Sequence, residues 1–108
     1  MRSEGQKESR KQEDRLAKVV GGKRVAASGA FWSRKGDVRS AELLIEAKWT
    51  GKKQFTLRHD VLKKVLLEAT LAGRTPVLAV SFEGHDNYII LTEEDFMDLW
   101  TDAHGPLE

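Results

Sequence analysis

Asp37, Glu46 and Lys48 carry the chemistry that stands out in this chain. Glu46 and Lys48 lie two residues apart in ELLIEAKW (42–49), where Leu43, Ile45, Ala47 and Trp49 alternate with Glu42, Leu44, Glu46 and Lys48. That is a strand pattern, so the carboxylate and the ammonium point the same way. Asp37 opens an earlier strand, and if the chain turns back near Ser40, or the two strands are otherwise neighbours, it can reach the same point in space as Glu46. The apolar neighbours make the strand central, where charges need partners, a metal or an open cleft. Two convergent carboxylates form a hard oxygen site suited to Mg²⁺, to which the Ala47 carbonyl can add a ligand. A lysine beside it can hold an attacking water or stabilise charge building on a phosphoryl group. The competing reading of Glu46 and Lys48 is a solvated pair on an exposed sheet face.

The elements that position these residues follow from periodicity. MRSEGQKESRKQ (1–12) is polar after Met1 and is expected to be a tail or an exposed helical extension, with one domain over 13–108. Glu13, Leu16, Ala17 and Val20 share a helical face that Gly21-Gly22 ends. A carboxylate on that face must sit at the rim of the core or point into a site, and Asp14 competes for the role. Strands are expected at 24–27, 37–39 and 42–49, with Gln54-Phe55 extending the sheet briefly. Thr56 is expected to cap a helix over 57–72 ended by Gly73. PVLAVSF (76–82) predicts a strand covered on both faces, and YIIL (88–91) a second. Thr92, followed by Glu93, Glu94 and Asp95, opens a last helix bearing Phe96, Leu99 and Trp100. The order is α-β-β-β-α-β-β-α.

Composition narrows the classes. The chain has 108 residues, enough for one small domain, and no cysteine, which excludes disulfide scaffolds, thiol nucleophiles and cysteine-ligated metals. There is no long apolar run and no signal-peptide core, so an intracellular protein is expected. The net charge of +1 conceals segregation: residues 21–64 carry eleven basic and four acidic side chains, and residues 65–108 one and nine. Such a basic middle suits nucleic acid. His59, His85 and His104 have no zinc spacing and are expected at the surface, and neither a phosphate-binding P-loop nor a zinc finger is present.

Gly36-Asp37-Val38 followed by Ile45-Glu46-Ala47-Lys48 resembles the PD-(D/E)XK nuclease signature, with Gly36 in place of the proline. The helix carrying Glu13 and the segment Arg24-Val25-Ala26-Ala27-Ser28-Gly29-Ala30 are similar to small Holliday-junction resolvases of phage and archaea. The resemblance spans most of 13–91. It implies a restriction-endonuclease-like α/β core with a central mixed sheet flanked by helices. It also implies an Mg²⁺-dependent endodeoxyribonuclease, with Mn²⁺ substituting, that cuts branched DNA as a homodimer. In that family pattern Asp37 and Glu46 hold the metal with the Ala47 carbonyl, Lys48 is catalytic, and Glu13 serves as the helical glutamate, either catalytic or a further ligand. Ser28 then contacts a phosphate. The basic residues Lys23, Arg24, Arg34, Lys35, Arg39, Lys52, Lys53, Arg58, Lys63 and Lys64 surround the hairpin in sequence and are expected on DNA backbone. Phe31 and Trp32 are candidates for a branch-point wedge or an interface. With Trp49, Phe96, Leu99 and Trp100 they make up the expected apolar contacts between subunits. The alternatives are a nicking or flap nuclease of the same fold and a non-catalytic DNA-binding protein.

Overall fold

The computed structural model describes residues 4–25, 37–84 and 86–105. The elements run α1 (Glu4–Val20), β1 (Lys23–Arg24), β2 (Val38–Arg39), β3 (Leu43–Thr50), α2 (His59–Leu71), β4 (Thr75–Phe82), β5 (Asn87–Ile90) and α3 (Glu93–His104). The strands lie in sequence order across one mixed sheet. β3 and β4 are parallel, joined by the α2 crossover, and the other pairs are antiparallel. The expected element order and the mixed sheet flanked by helices are what the structure contains.

α1 and α2 each bury a stripe against one face of the sheet. Leu16 of α1 packs with Val38, Ile45, Val77 and Ala79, and Ala17, Val20, Leu43 and Ala47 close around them. On the opposite face Leu44 meets Val65 and Ala69 of α2. Alternation along β3 thus divides its side chains between the two helices. β4 is buried from Val77 through Ser81, as the continuous apolar run predicts for a strand covered on both sides.

Local boundaries differ from expectation where chemistry outside the element intervenes. α1 begins at Glu4, and its less exposed positions continue the stripe toward the N-terminus through Gln12, Ser9, Glu8 and Gly5. Thr56 does not cap α2: the N-cap is Arg58, with no side-chain capping bond, and the Arg58 guanidinium pairs with Asp60 instead. Gln54 and Phe55 lie outside the sheet, in the connection to α2. Thr92 does cap α3, accepting from the Asp95 N–H at 3.1 Å. No residue of α3 is buried. Phe96, Leu99 and Trp100 are therefore exposed in the single chain, whereas Trp49 is half-buried. No described helix is long and apolar enough to cross a membrane.

Gly21 and Gly22 perform separate tasks after α1. Gly21 takes a positive φ of 64°, which suits the helix end. Gly22 passes so close to β2 that a Cβ on it would run into the backbone carbonyl of Arg39. Gly22→Ala should therefore push β1 from β2 and destabilise the fold by about 1–3 kcal/mol, as overpacking against backbone does. Urea unfolding measures this directly, and an unchanged midpoint would contradict the close approach.

Candidate active site

A tight reversal sets the site. The Ser40 N–H donates to the Leu43 carbonyl at 3.0 Å, and Ser40 Oγ accepts from the Leu43 N–H at 3.0 Å. Arg74, beyond α2, donates through Nε to the Ser40 carbonyl at 2.8 Å and through a terminal nitrogen to the Ala72 carbonyl at 3.0 Å. The turn so held pairs Arg39 with Leu44 and Val38 with Ile45. One step further the ladder ends, and the Asp37 N–H donates to the Ile45 carbonyl at 2.9 Å. The Asp37 carboxylate bends toward β3, where Oδ2 accepts from the Ala47 N–H at 2.8 Å.

Glu46 and Lys48 share the α2 face of β3, and their charged ends lie 3.4 Å apart. Burial pushes the Glu46 carboxyl above its ordinary range and the Asp37 charge adds to this, while the ammonium groups of Lys48 and, from α2, Lys64 pull the other way. Glu13 approaches from α1. Its carboxyl is raised to about 7, first by desolvation and next by Asp37, with Asp14 and Glu46 contributing and Arg24 opposing. The Asp37 charge thus raises both Glu13 and Glu46. Asp14 turns aside into an ion pair with Arg24 at 3.3 Å.

Among the described residues, no group of three or more His, Cys, Asp or Glu side chains is arranged to hold a metal by itself. The donor chemistry nevertheless fits a hard divalent cation. Mg²⁺ is usually held by one or two carboxylates, with water and phosphate oxygens completing its shell. Asp37 and Glu46 provide two carboxylates, and gathering acids in a partly desolvated spot is a cost that a cation offsets.

The expected DNA-binding residues are dispersed around this point. Arg24 shares an open trough with Ser9, Arg10, Glu13, Trp49 and Lys52. Lys23, Lys52 and Lys53 are exposed, and Arg39 lies beside Arg74 at the far side of β1 and β2. Arg58 is engaged by Asp60 at 3.1 Å. Lys64 lies close enough to act on Glu46, while pairing loosely with Glu68 at 3.9 Å. Lys63 points elsewhere, into an apolar cleft with His59 and Leu62. Ser28, Phe31, Trp32, Arg34 and Lys35 lie outside the described residues, as does His85. His59 and His104 are exposed. Two residues of the trough, Ser9 and Arg10, escape a sequence reading that begins the domain at Glu13. Their signal is the stripe of α1, which continues through that boundary.

No family model matches the chain, and no curated protein does. Among solved structures it is similar to Hjc, a Holliday junction resolvase from the archaeal hyperthermophile Archaeoglobus fulgidus. The likeness covers 76% of this chain and 75% of that one at 18% identity, with a TM-score of 0.59. It is a likeness of fold, and it agrees with the mixed-sheet α/β architecture expected from the sequence.

The raised Glu13 carboxyl has a consequence for stability. Between the ordinary carboxyl value and about 7 the folded chain binds more protons than the unfolded one, so this group's contribution weakens as pH rises through that window. Glu13→Gln should remove the cost. In metal-free buffer the variant should be more stable than the parent at pH 8, by about 1 kcal/mol after allowing for solvent screening. The difference should shrink toward pH 5. Paired urea titrations at the two pH values test this, and a variant less stable at pH 8 would contradict it.

Proposed function

We propose that the protein is a metal-dependent, structure-selective endodeoxyribonuclease that cuts phosphodiester bonds in four-way DNA junctions. What supports this reading is the strand arrangement that holds Asp37 on the Ala47 N–H and sets Glu46 against Lys48, in a chain with a resolvase-like fold. Asp37 and Glu46 would hold Mg²⁺, or Mn²⁺ in its place, with the Ala47 carbonyl as a further ligand. The ion would supply Lewis-acid stabilisation of the phosphoryl oxygens and make water a better nucleophile.

The residues of the chain perform the remaining tasks. The Asp37 carboxylate is held by the Ala47 N–H, which fixes one oxygen and leaves the other free to turn outward. Lys48, half-exposed and already against Glu46, orients the water that attacks phosphorus in line and stabilises the charge growing on the phosphate. Lys64 reinforces the positive field from α2. Glu13, with its carboxyl near 7, can accept a proton from water at neutral pH. Arg24 and Lys52 share a trough with Glu13 and suit sugar–phosphate backbone, as do exposed Lys23 and Lys53. The exposed acidic helix α3, bearing Glu93, Glu94, Asp95, Asp98 and Asp102, is unsuited to lie on phosphate.

Cleavage of an immobile four-way junction, a flap and a linear duplex, each with Mg²⁺ and with EDTA, tests the reading. Asp37→Ala and Glu46→Ala should each cost several kcal/mol of transition-state stabilisation, on the order of a thousandfold in rate. Junction binding should survive in both. A variant that cuts at the parental rate would overturn the site, and equal cutting of junction and duplex would favour the nicking or flap alternative.

A four-way junction has two-fold symmetry and takes two symmetric cuts, so a homodimer belongs to the same proposal. What supports it is the apolar surface the single chain leaves uncovered. Phe96 and Trp100 line one side of α3, with Trp100 stacked on His104, and Leu66, Leu71 and Ile89 are exposed on α2 and β5. Light scattering at micromolar concentration should give about twice the chain mass of 12.2 kDa. A monomeric mass, free and on junction DNA, would remove the dimer.

A further inference from the structure

Gln12 is placed where packing alone would favour a leucine. It precedes Glu13 and lies one turn before Leu16 on the face that α1 turns to the sheet, and it is 1% exposed. Its Nε2 lies 2.9 Å from the Lys48 carbonyl, 2.8 Å from Asn87 Oδ1 and 3.3 Å from the Ala79 carbonyl. The amide's two N–H groups serve the two shorter contacts, and the third acceptor takes a weaker share. Turned over, the carboxamide would set its oxygen against two carbonyl oxygens, so the acceptors themselves fix its orientation. One side chain thereby ties α1 to β3, β4 and β5.

The bonds lead to the candidate site on both sides. Lys48, whose carbonyl accepts from Gln12, is the residue whose ammonium meets Glu46. Glu13, the next residue of α1, is the helical carboxylate on which the Asp37 charge acts, and more weakly that of Glu46. Helix-to-sheet contact through Leu16, Ala17 and Val20 is apolar and permits small rotations and slides. Directional bonds to carbonyls do not. Burying a carboxamide is costly, and Gln12 Oε1 finds no donor among the described residues. A leucine would avoid that cost and still fill the stripe.

We propose that Gln12 is a positioning residue for cleavage: it locks the rotation of α1 on the sheet, and with it the placement of Glu13 on that helix, and it steadies the β3 backbone at Lys48. The proposal rests on the nuclease reading above. Gln12 does not touch the reacting atoms. It acts through Glu13 and Lys48, and its loss should slow the chemical step without weakening DNA binding.

Gln12→Met, close in length but without donors, is the direct test. On a four-way junction with Mg²⁺, well below the unfolding temperature, kcat should fall by about 10- to 100-fold, the range expected for a displaced catalytic group. KM should stay within about twofold. Glu13→Ala should cost much less in the Gln12→Met background than in the parent, because both changes remove the same contribution. A purely structural role predicts a lowered unfolding temperature with kcat unchanged, or losses that multiply, and either result overturns the proposal. The parent chain offers a test independent of activity. The Gln12 carboxamide protons should exchange with solvent far more slowly than those of exposed Gln54, and show NMR contacts to Asn87. Exchange as fast as that of Gln54 would overturn the proposal even if Gln12→Met fails to fold. A parent that cleaves no DNA overturns the nuclease reading together with the proposal, whereas an active parent and an equally active Gln12→Met variant overturn the proposal alone.

Discussion

The candidate site depends on the register between β2 and β3. Side chains alternate along a strand, so a slip of one residue would turn Glu46 and Lys48 toward α1 and bring Ile45 to the α2 side. β2 has only two residues in the ladder, too few to hold a register alone. The restraint comes from around it. Ser40 closes the turn from within, Arg74 grips its carbonyl from the end of α2, and β1 pairs along the outer edge only because Gly22 lets the backbone pass. Asp37 is where that ladder ends, so its carboxylate can turn back to the Ala47 N–H rather than continue the strand.

The register brings acids together at an electrostatic cost. Partial burial raises both Glu13 and Glu46, and their mutual repulsion with Asp37 raises them further. Lys48 and Lys64 offset part of this at Glu46, and Arg24 part of it at Glu13. Clustered, partly desolvated carboxylates weaken a small fold. Asp14, one position along the same helix, is more exposed and pairs with Arg24, although its charge also raises Glu13.

The charge segregation of the chain becomes spatial. Exposed lysines and arginines occupy β1, the β3–α2 connection and α2, while acids crowd α3. α3 leaves the body after β5 with no buried residue, and the apolar rows on α3, α2 and β5 face outward. A fold this small thus divides its surface into a basic region that suits a polyanion and an apolar region that suits another protein surface.

Much of this was legible in the sequence because it is written locally. The alternation in 42–49 places Glu46 and Lys48 on one face, the i, i+3, i+4 spacing marks α1, the unbroken run at 76–82 gives a strand covered on both sides, and Thr92 before three acids marks a helix start. Each feature depends on neighbours a few residues apart, and the D…E-x-K spacing led to a fold that the solved resolvase shares. Other features needed the assembled chain. Thr56 offered a cap that the Arg58–Asp60 pair displaced, and Gln54-Phe55 found no strand to join. Lys63 and Lys64 are adjacent in sequence, yet the turn of α2 sends one to an apolar cleft and the other toward Glu46. Gln12 looks like one more polar residue in a polar segment until three strands supply its acceptors. Periodicity encodes which way a side chain points along its own element. What it meets there, and how strongly water is excluded around it, is decided by elements distant in sequence, and only tertiary packing brings these together.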